Sequence, residues 1–105
     1  LYPDGACHDL RAAVARKLGV PGDWLLFGNG SDEVIHLLGL TFLQPGDEVV
    51  TGEPTFVLYE AAATLAGATR VGVPLTPGDL RHDARAIAER FNDRTRLVFV
   101  ANPHN

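Results

Sequence analysis

Apolar positions along the chain change period several times, and each change marks an element. Between Ala6 and Leu18 the residues Leu10, Ala13, Val14 and Leu18 fall on one face, with Arg11, Arg16 and Lys17 mostly off it. This predicts a helix closed by Gly19, followed by a turn at Val20-Pro21-Gly22-Asp23. Tyr2-Pro3-Asp4-Gly5 ahead of it reads as extended or turn chain. A short apolar run, Trp24-Leu25-Leu26-Phe27, predicts a strand, and Val34, Ile35, Leu37, Leu38 and Phe42 then recur at helical spacing to about Leu43. Gln44-Pro45-Gly46-Asp47 is a turn, and Glu48–Thr51 is a strand. The loop Gly52–Phe56 leads into a helix to about Ala66, whose Ala61, Ala62, Ala63 and Ala66 are small enough to let it lie close on a sheet. Gly67 closes that helix, Thr69–Val73 is a strand, and Pro74 to His82 is a polar connection. Asp83 caps a helix through Arg90 with Ala84, Ile87 and Ala88 inward, and Arg96–Ala101 is an apolar run expected to be buried on both faces.

Strands alternating with helices predict an α/β fold with a mostly parallel sheet and helices on its faces. Ligands of such sheets gather beyond the carboxyl ends of the strands. The loops Gly28–Ser31, Gly52–Phe56 and Asn102–Asn105 occupy such ends. The stretch Gly28-Asn29-Gly30-Ser31-Asp32-Glu33 joins a tight glycine turn to a helix start, where backbone N–H groups without helical partners and the positive end of the dipole receive anions. Two readings stand side by side: a phosphate cradle, or a glycine turn that only reverses the chain. The cradle requires the Asp32 and Glu33 carboxylates to turn aside, because they repel a bound phosphate.

Composition narrows the classes. Of 105 residues, 46% are hydrophobic and 21% charged, which describes a folded piece rather than a disordered one. A formal charge of −4 provides no basic stripe for nucleic acid, and no apolar run reaches the ~18–20 residues that span a bilayer. Cys7 alone forms no intrachain disulfide, in keeping with a cytoplasmic protein, and its simplest reading is a small unreactive residue. A start at Leu1, no methionine and an end in mid-loop at Asn105 lead to the expectation that the chain is a segment of something longer.

Several segments together resemble pyridoxal-phosphate-dependent aminotransferases of the aspartate aminotransferase superfamily, most closely the histidinol-phosphate aminotransferases. They are Tyr2-Pro3-Asp4, Leu10-Arg11 with Leu18-Gly19-Val20, Gly28–Glu33, Phe42–Asp47, Glu53-Pro54-Thr55-Phe56, Ala66-Gly67-Ala68 and Asn102-Pro103-His104-Asn105. The resemblance implies that residues 1–105 are part of the large, cofactor-binding domain, a three-layer α/β/α segment, with the rest of that domain and the small domain lying elsewhere. It implies that the Glu48–Thr51 strand lies between the other two, and that Leu25–Phe27 finds no ladder partner within this chain. It further implies that Ser31 and Asp32 hold the phosphate of pyridoxal 5'-phosphate through their backbone N–H groups, with Gly30 allowing close approach. Phe56 would stack on the pyridine ring and Asn105 would bond the phenolic oxygen of the ring. Tyr2 would reach the phosphate of a neighbouring subunit's cofactor, which makes the complete protein a homodimer. The implied reaction of histidine biosynthesis passes an amino group between histidinol phosphate, or a similar donor, and a 2-oxo acid such as 2-oxoglutarate.

The same resemblance places the lysine that carries the cofactor downstream, so no catalytic residue is expected in this segment, nor any metal ligand. Lys17, the one lysine, stands outside every motif. Decarboxylases and lyases of the superfamily share this half of the site. A nicotinamide dehydrogenase is a poorer reading, since Gly28-x-Gly30-x-x ends in Glu33 where that fingerprint has glycine or alanine. A non-catalytic α/β module would not account for the loops.

Overall fold

The computed structural model describes residues 2–103, which divide within one helix into two compact units, residues 2–34 and 35–103. In the first, α1 (His8–Leu18) follows a left-handed Cys7 (φ 49°). Its start is capped from a distance, because the Asp4 carboxylate accepts the N–H groups of Ala6 (2.9 Å) and His8 (2.8 Å). Gly19 closes α1 at φ 68°, its N–H donating to Ala15 O. No residue of α1 is buried, and Leu10 and Leu18, expected on an inward face, are 51% and 60% exposed.

Trp24–Phe27 does not form the predicted strand. Trp24 closes a single 3-10 turn, Gly22–Trp24, and residues 25–27 join no ladder among the described residues, as the resemblance implied. A run without a partner strand has only side chains or water to satisfy its backbone. Here the Arg11 guanidinium does part of that: Nη1 donates to Gly22 O at 2.8 Å and to Leu25 O, while the guanidinium lies 5.1 Å from the centroid of the Phe27 ring.

Helix α2 (Gly30–Phe42) runs from the first unit into the second. The second unit continues with β1 (Glu48–Glu53), α3 (Val57–Leu65), β2 (Thr69–Pro74), α4 (Ala84–Ala88) and β3 (Thr95–Phe99). All three strands are parallel in the order β2-β1-β3, with β1 central as expected. Val49 and Val50, both fully buried, point to opposite faces. Val49 packs with Leu43 and Ala63, joined by Leu97 and Phe99; Val50 packs with Val73 and Ile87. Helices thus cover both faces, which makes three layers. Small residues set the spacing on the α3 side, where a Cβ on Gly39 would stand 3.3 Å from Ala62 Cβ.

Two expectations about this sheet fail. Asp83 caps α4, accepting from the N–H groups of Arg85 and Ala86 at 3.0 Å, but the helix ends at Ala88 in 3-10-like bonds, and Ala84 and Ala88 are exposed. Only Ile87 is buried, with Ala86 packed beside it. So short a helix covers β1 and β2 but not β3. Val98 is consequently 38% exposed, and β3 is half-buried along one face and exposed along the other rather than buried on two.

Candidate functional site

The glycine turn and the start of α2 belong to the first unit. Gly30 adopts φ 73°, a conformation open to glycine at little cost, and nothing lies within 4 Å of where its Cβ would be. Its N–H donates to Gly28 O at 2.9 Å. The Glu33 carboxylate curls back: Oε2 accepts the backbone N–H of Asn29 at 2.6 Å and its Nδ2 at 3.0 Å. That carboxylate is thereby bonded onto the turn itself, beside Gly28. Asp32 stays exposed. The backbone N–H groups of Ser31 and Asp32 have no acceptor among the described residues, at the positive end of a 13-residue helix.

In the second unit β1 runs two residues further than predicted, so the loop contracts to Pro54-Thr55-Phe56. Phe56 occupies the N-cap position of α3, without a side-chain capping bond, and is 41% exposed. The ring meets Tyr59 edge-on (5.8 Å, 87°), and Tyr59 in turn stacks on Phe99 of β3 (4.4 Å, 1°). Phe56 therefore presents a ring steadied by an aromatic chain reaching across the sheet. Thr55 Oγ1 is buried beside it with no partner among the described residues.

Tyr2 is fully exposed and Asn105 lies outside the described residues. Gly30, Ser31 and Asp32 stand together at one helix start, while Phe56 stands at the carboxyl end of β1.

Other features of the same sheet end carry no periodic signal in the sequence. A cavity of about 560 Å³ is bordered by Asp79–His82 and Val100–Pro103. His82 Nε2 lies 2.9 Å from Ala101 O and must carry the proton there, since a carbonyl only accepts. The imidazole lies against Gly52, where a Cβ would come within 2.7 Å of Cε1. The Phe56–Tyr59 spacing (i, i+3) was a signal available in the sequence; the His82 contact, made across 19 positions, was not.

The profile of the family described as aminotransferase class I and II matches residues 1–105. The histidinol-phosphate aminotransferase of Moorella thermoacetica is 49% identical over all 105 residues, and that of Anaeromyxobacter is 47% identical; the chain spans 27% and 29% of their lengths. Among solved structures, histidinol-phosphate aminotransferase from Sinorhizobium meliloti in complex with pyridoxal-5'-phosphate superimposes with a TM-score of 0.90 at 29% identity, covering 100% of this chain and 28% of that one.

Proposed function

Because this chain belongs to the class I and II aminotransferase family, we propose that it forms the phosphate-binding side of a pyridoxal-phosphate-dependent aminotransferase. In the complete protein the amino group would pass between histidinol phosphate, or a donor of the same kind, and 2-oxoglutarate. The observation that carries this reading is the start of α2: two N–H groups without acceptors among the described residues, at a helix N-terminus.

The residues suit the cofactor chemically. Ser31 and Asp32 would hold its phosphate through backbone N–H groups, and the bare Cα of Gly30 lets the phosphate come close. Phe56 would lay its face on the pyridine ring, and Asn105 would donate to the ring oxygen. Tyr2 would serve the phosphate of a neighbouring subunit. When bound, pyridoxal phosphate supplies an electron sink for the bonds at the amino-bearing carbon. Residues 1–105 would bind and orient it. The proton-transferring lysine would come from another part of the complete protein, a reading supported by the place of Lys17 in the exposed last turn of α1.

Phe56→Ala in the complete protein tests the assignment. It should weaken equilibrium cofactor affinity by roughly 1–3 kcal/mol, the scale of a lost aromatic contact. An unchanged affinity removes Phe56 from the site. For the 105-residue chain, borohydride reduction with pyridoxal phosphate should label Lys17 only in trace amounts and give no turnover.

A further inference from the structure

One guanidinium grips both ends of the segment that carries Phe56. Arg70, on β2, is only 18% exposed. Its Nη1 donates to Thr51 Oγ1 (3.2 Å) and to Glu53 Oε2 (3.1 Å), and its Nη2 donates to Glu53 Oε1 (3.3 Å). Its Nε faces Glu60 Oε2 at 3.4 Å, an ion pair without good hydrogen-bond alignment. Glu53 is three residues before Phe56, and Glu60 is four after it.

The register explains how Arg70 reaches them. In the parallel pair, Val49 stands beside Arg70, Thr51 beside Gly72 and Glu53 beside Pro74. Arg70 must therefore extend along the sheet, over position 72, to meet Glu53. Gly72 leaves that track open, since a Cβ there would overlap Glu53 Oε2 and stand 2.9 Å from Arg70 Nη1. An arginine suits the place because its planar fork takes one carboxylate bidentately and still has Nε for another, which a lysine ammonium does not reproduce.

We propose that Arg70 is a positioning residue for the cofactor. Through Glu53 and Glu60 it fixes residues 53–60 on β2, so that the Phe56 ring is already placed when the cofactor arrives. The consequence for the cofactor rests on the reading of Phe56 given above; the clamp itself does not. Both glutamates are more than half exposed, so each pair contributes modestly, and the effect comes from holding one short segment at two points.

The test uses the complete protein and the variants Arg70→Met, Arg70→Lys, Glu60→Gln and Gly72→Ala. In cofactor-free protein, amide exchange in the first turn of α3, where the Tyr59 N–H donates to Phe56 O, should rise roughly three- to tenfold in Arg70→Met and about twofold in Glu60→Gln, while the β1 amides stay protected. Gly72→Ala should reproduce Arg70→Met, because its methyl displaces the flexible end of Glu53 without straining the strand. Cofactor dissociation should accelerate by a similar factor in Arg70→Met, with the dichroism of the bound cofactor reduced and Arg70→Lys restoring only part of it.

If exchange in the first turn of α3 is unchanged in Arg70→Met and Gly72→Ala, the clamp is wrong. If exchange rises while dissociation and dichroism stay at wild-type values, Arg70 is structural only and the positioning role is wrong. That outcome is separable from failure of the Phe56 reading, in which Phe56→Ala itself leaves affinity unchanged. Should Arg70→Met fail to fold, Glu60→Gln and Gly72→Ala decide by the same two readouts.

Discussion

The two compact units are held together by different means. Residues 35–103 are organised around Val49, Val50 and Thr51, none with exposed surface, and their order comes from apolar contact on both faces of a sheet. Residues 2–34 bury no residue; their order comes from caps and from Arg11, which donates to Ala6 O, Gly22 O and Leu25 O and covers Phe27. A core tolerates no change of volume or charge, whereas a set of hydrogen bonds to exposed backbone loses little when one is removed. Phe56 is placed by the first kind of order and the glycine turn at residues 28–33 by the second.

The sharpest way to break this contrast is a charge in the sheet. Val49→Asp should cost about 4 kcal/mol or more, since the carboxylate would have no partner in the core. Leu10→Asp in α1, at a half-exposed position, should cost less than about 1 kcal/mol. Denaturant midpoints of the two variants check this, and equal losses would mean that Leu10 is as enclosed as Val49. Next in size is Arg11→Met, expected to lower stability by about 1–2 kcal/mol through the lost carbonyl bonds and ring contact. Exchange should quicken at residues 22–27 and stay unchanged in β1.

The smallest effect is one of pH. Hydrogen bonds from Asn92 and then Arg94 hold the Glu48 carboxyl below the usual carboxylate range, and the N–H groups of His8 and Ala6 do the same for Asp4. A folded pKa below the unfolded one means that the unfolded chain takes up protons first on acidification. Each carboxylate therefore stabilises the fold above its unfolded pKa and ceases to do so as the pH falls through its folded value. Midpoints measured on acidification should decline less steeply in Glu48→Gln and Asp4→Asn than in the wild type. The Glu48 change should be the larger, because that carboxylate is nearly buried and Asp4 is exposed.

What could be read in the sequence follows the same division. Local chemistry was legible: Gly19 and Asp83 cap where expected, and the turn at 44–47 forms with Asp47 Oδ2 accepting Gln44 N–H. The sheet order came from resemblance rather than periodicity, since alternation says nothing about which strands are neighbours. The sequence misleads where an apolar run lacks the cover that its composition implies. Trp24–Phe27 and Val98 are apolar without a partner among the described residues to enclose them fully, and Ala84 and Ala88 lie outside the single buried contact of α4. Of the candidate site, the helix start was legible because it is contiguous. The Arg70 contacts were not, because they join residues 10 to 19 positions apart and depend on a register that only the folded sheet defines.

The stacked pair Tyr59–Phe99 also makes the molecule self-reporting. The chain has one tryptophan and two tyrosines. Trp24, 75% exposed, belongs to the first unit together with the fully exposed Tyr2; Tyr59 belongs to the second and is held against another ring at 1°. Emission from the indole follows residues 2–34, while near-ultraviolet dichroism, which requires a ring fixed in an asymmetric setting, is dominated by Tyr59. Two optical signals from the unmodified chain therefore track the two units separately, and a melt in which they part company would resolve two transitions without any added label.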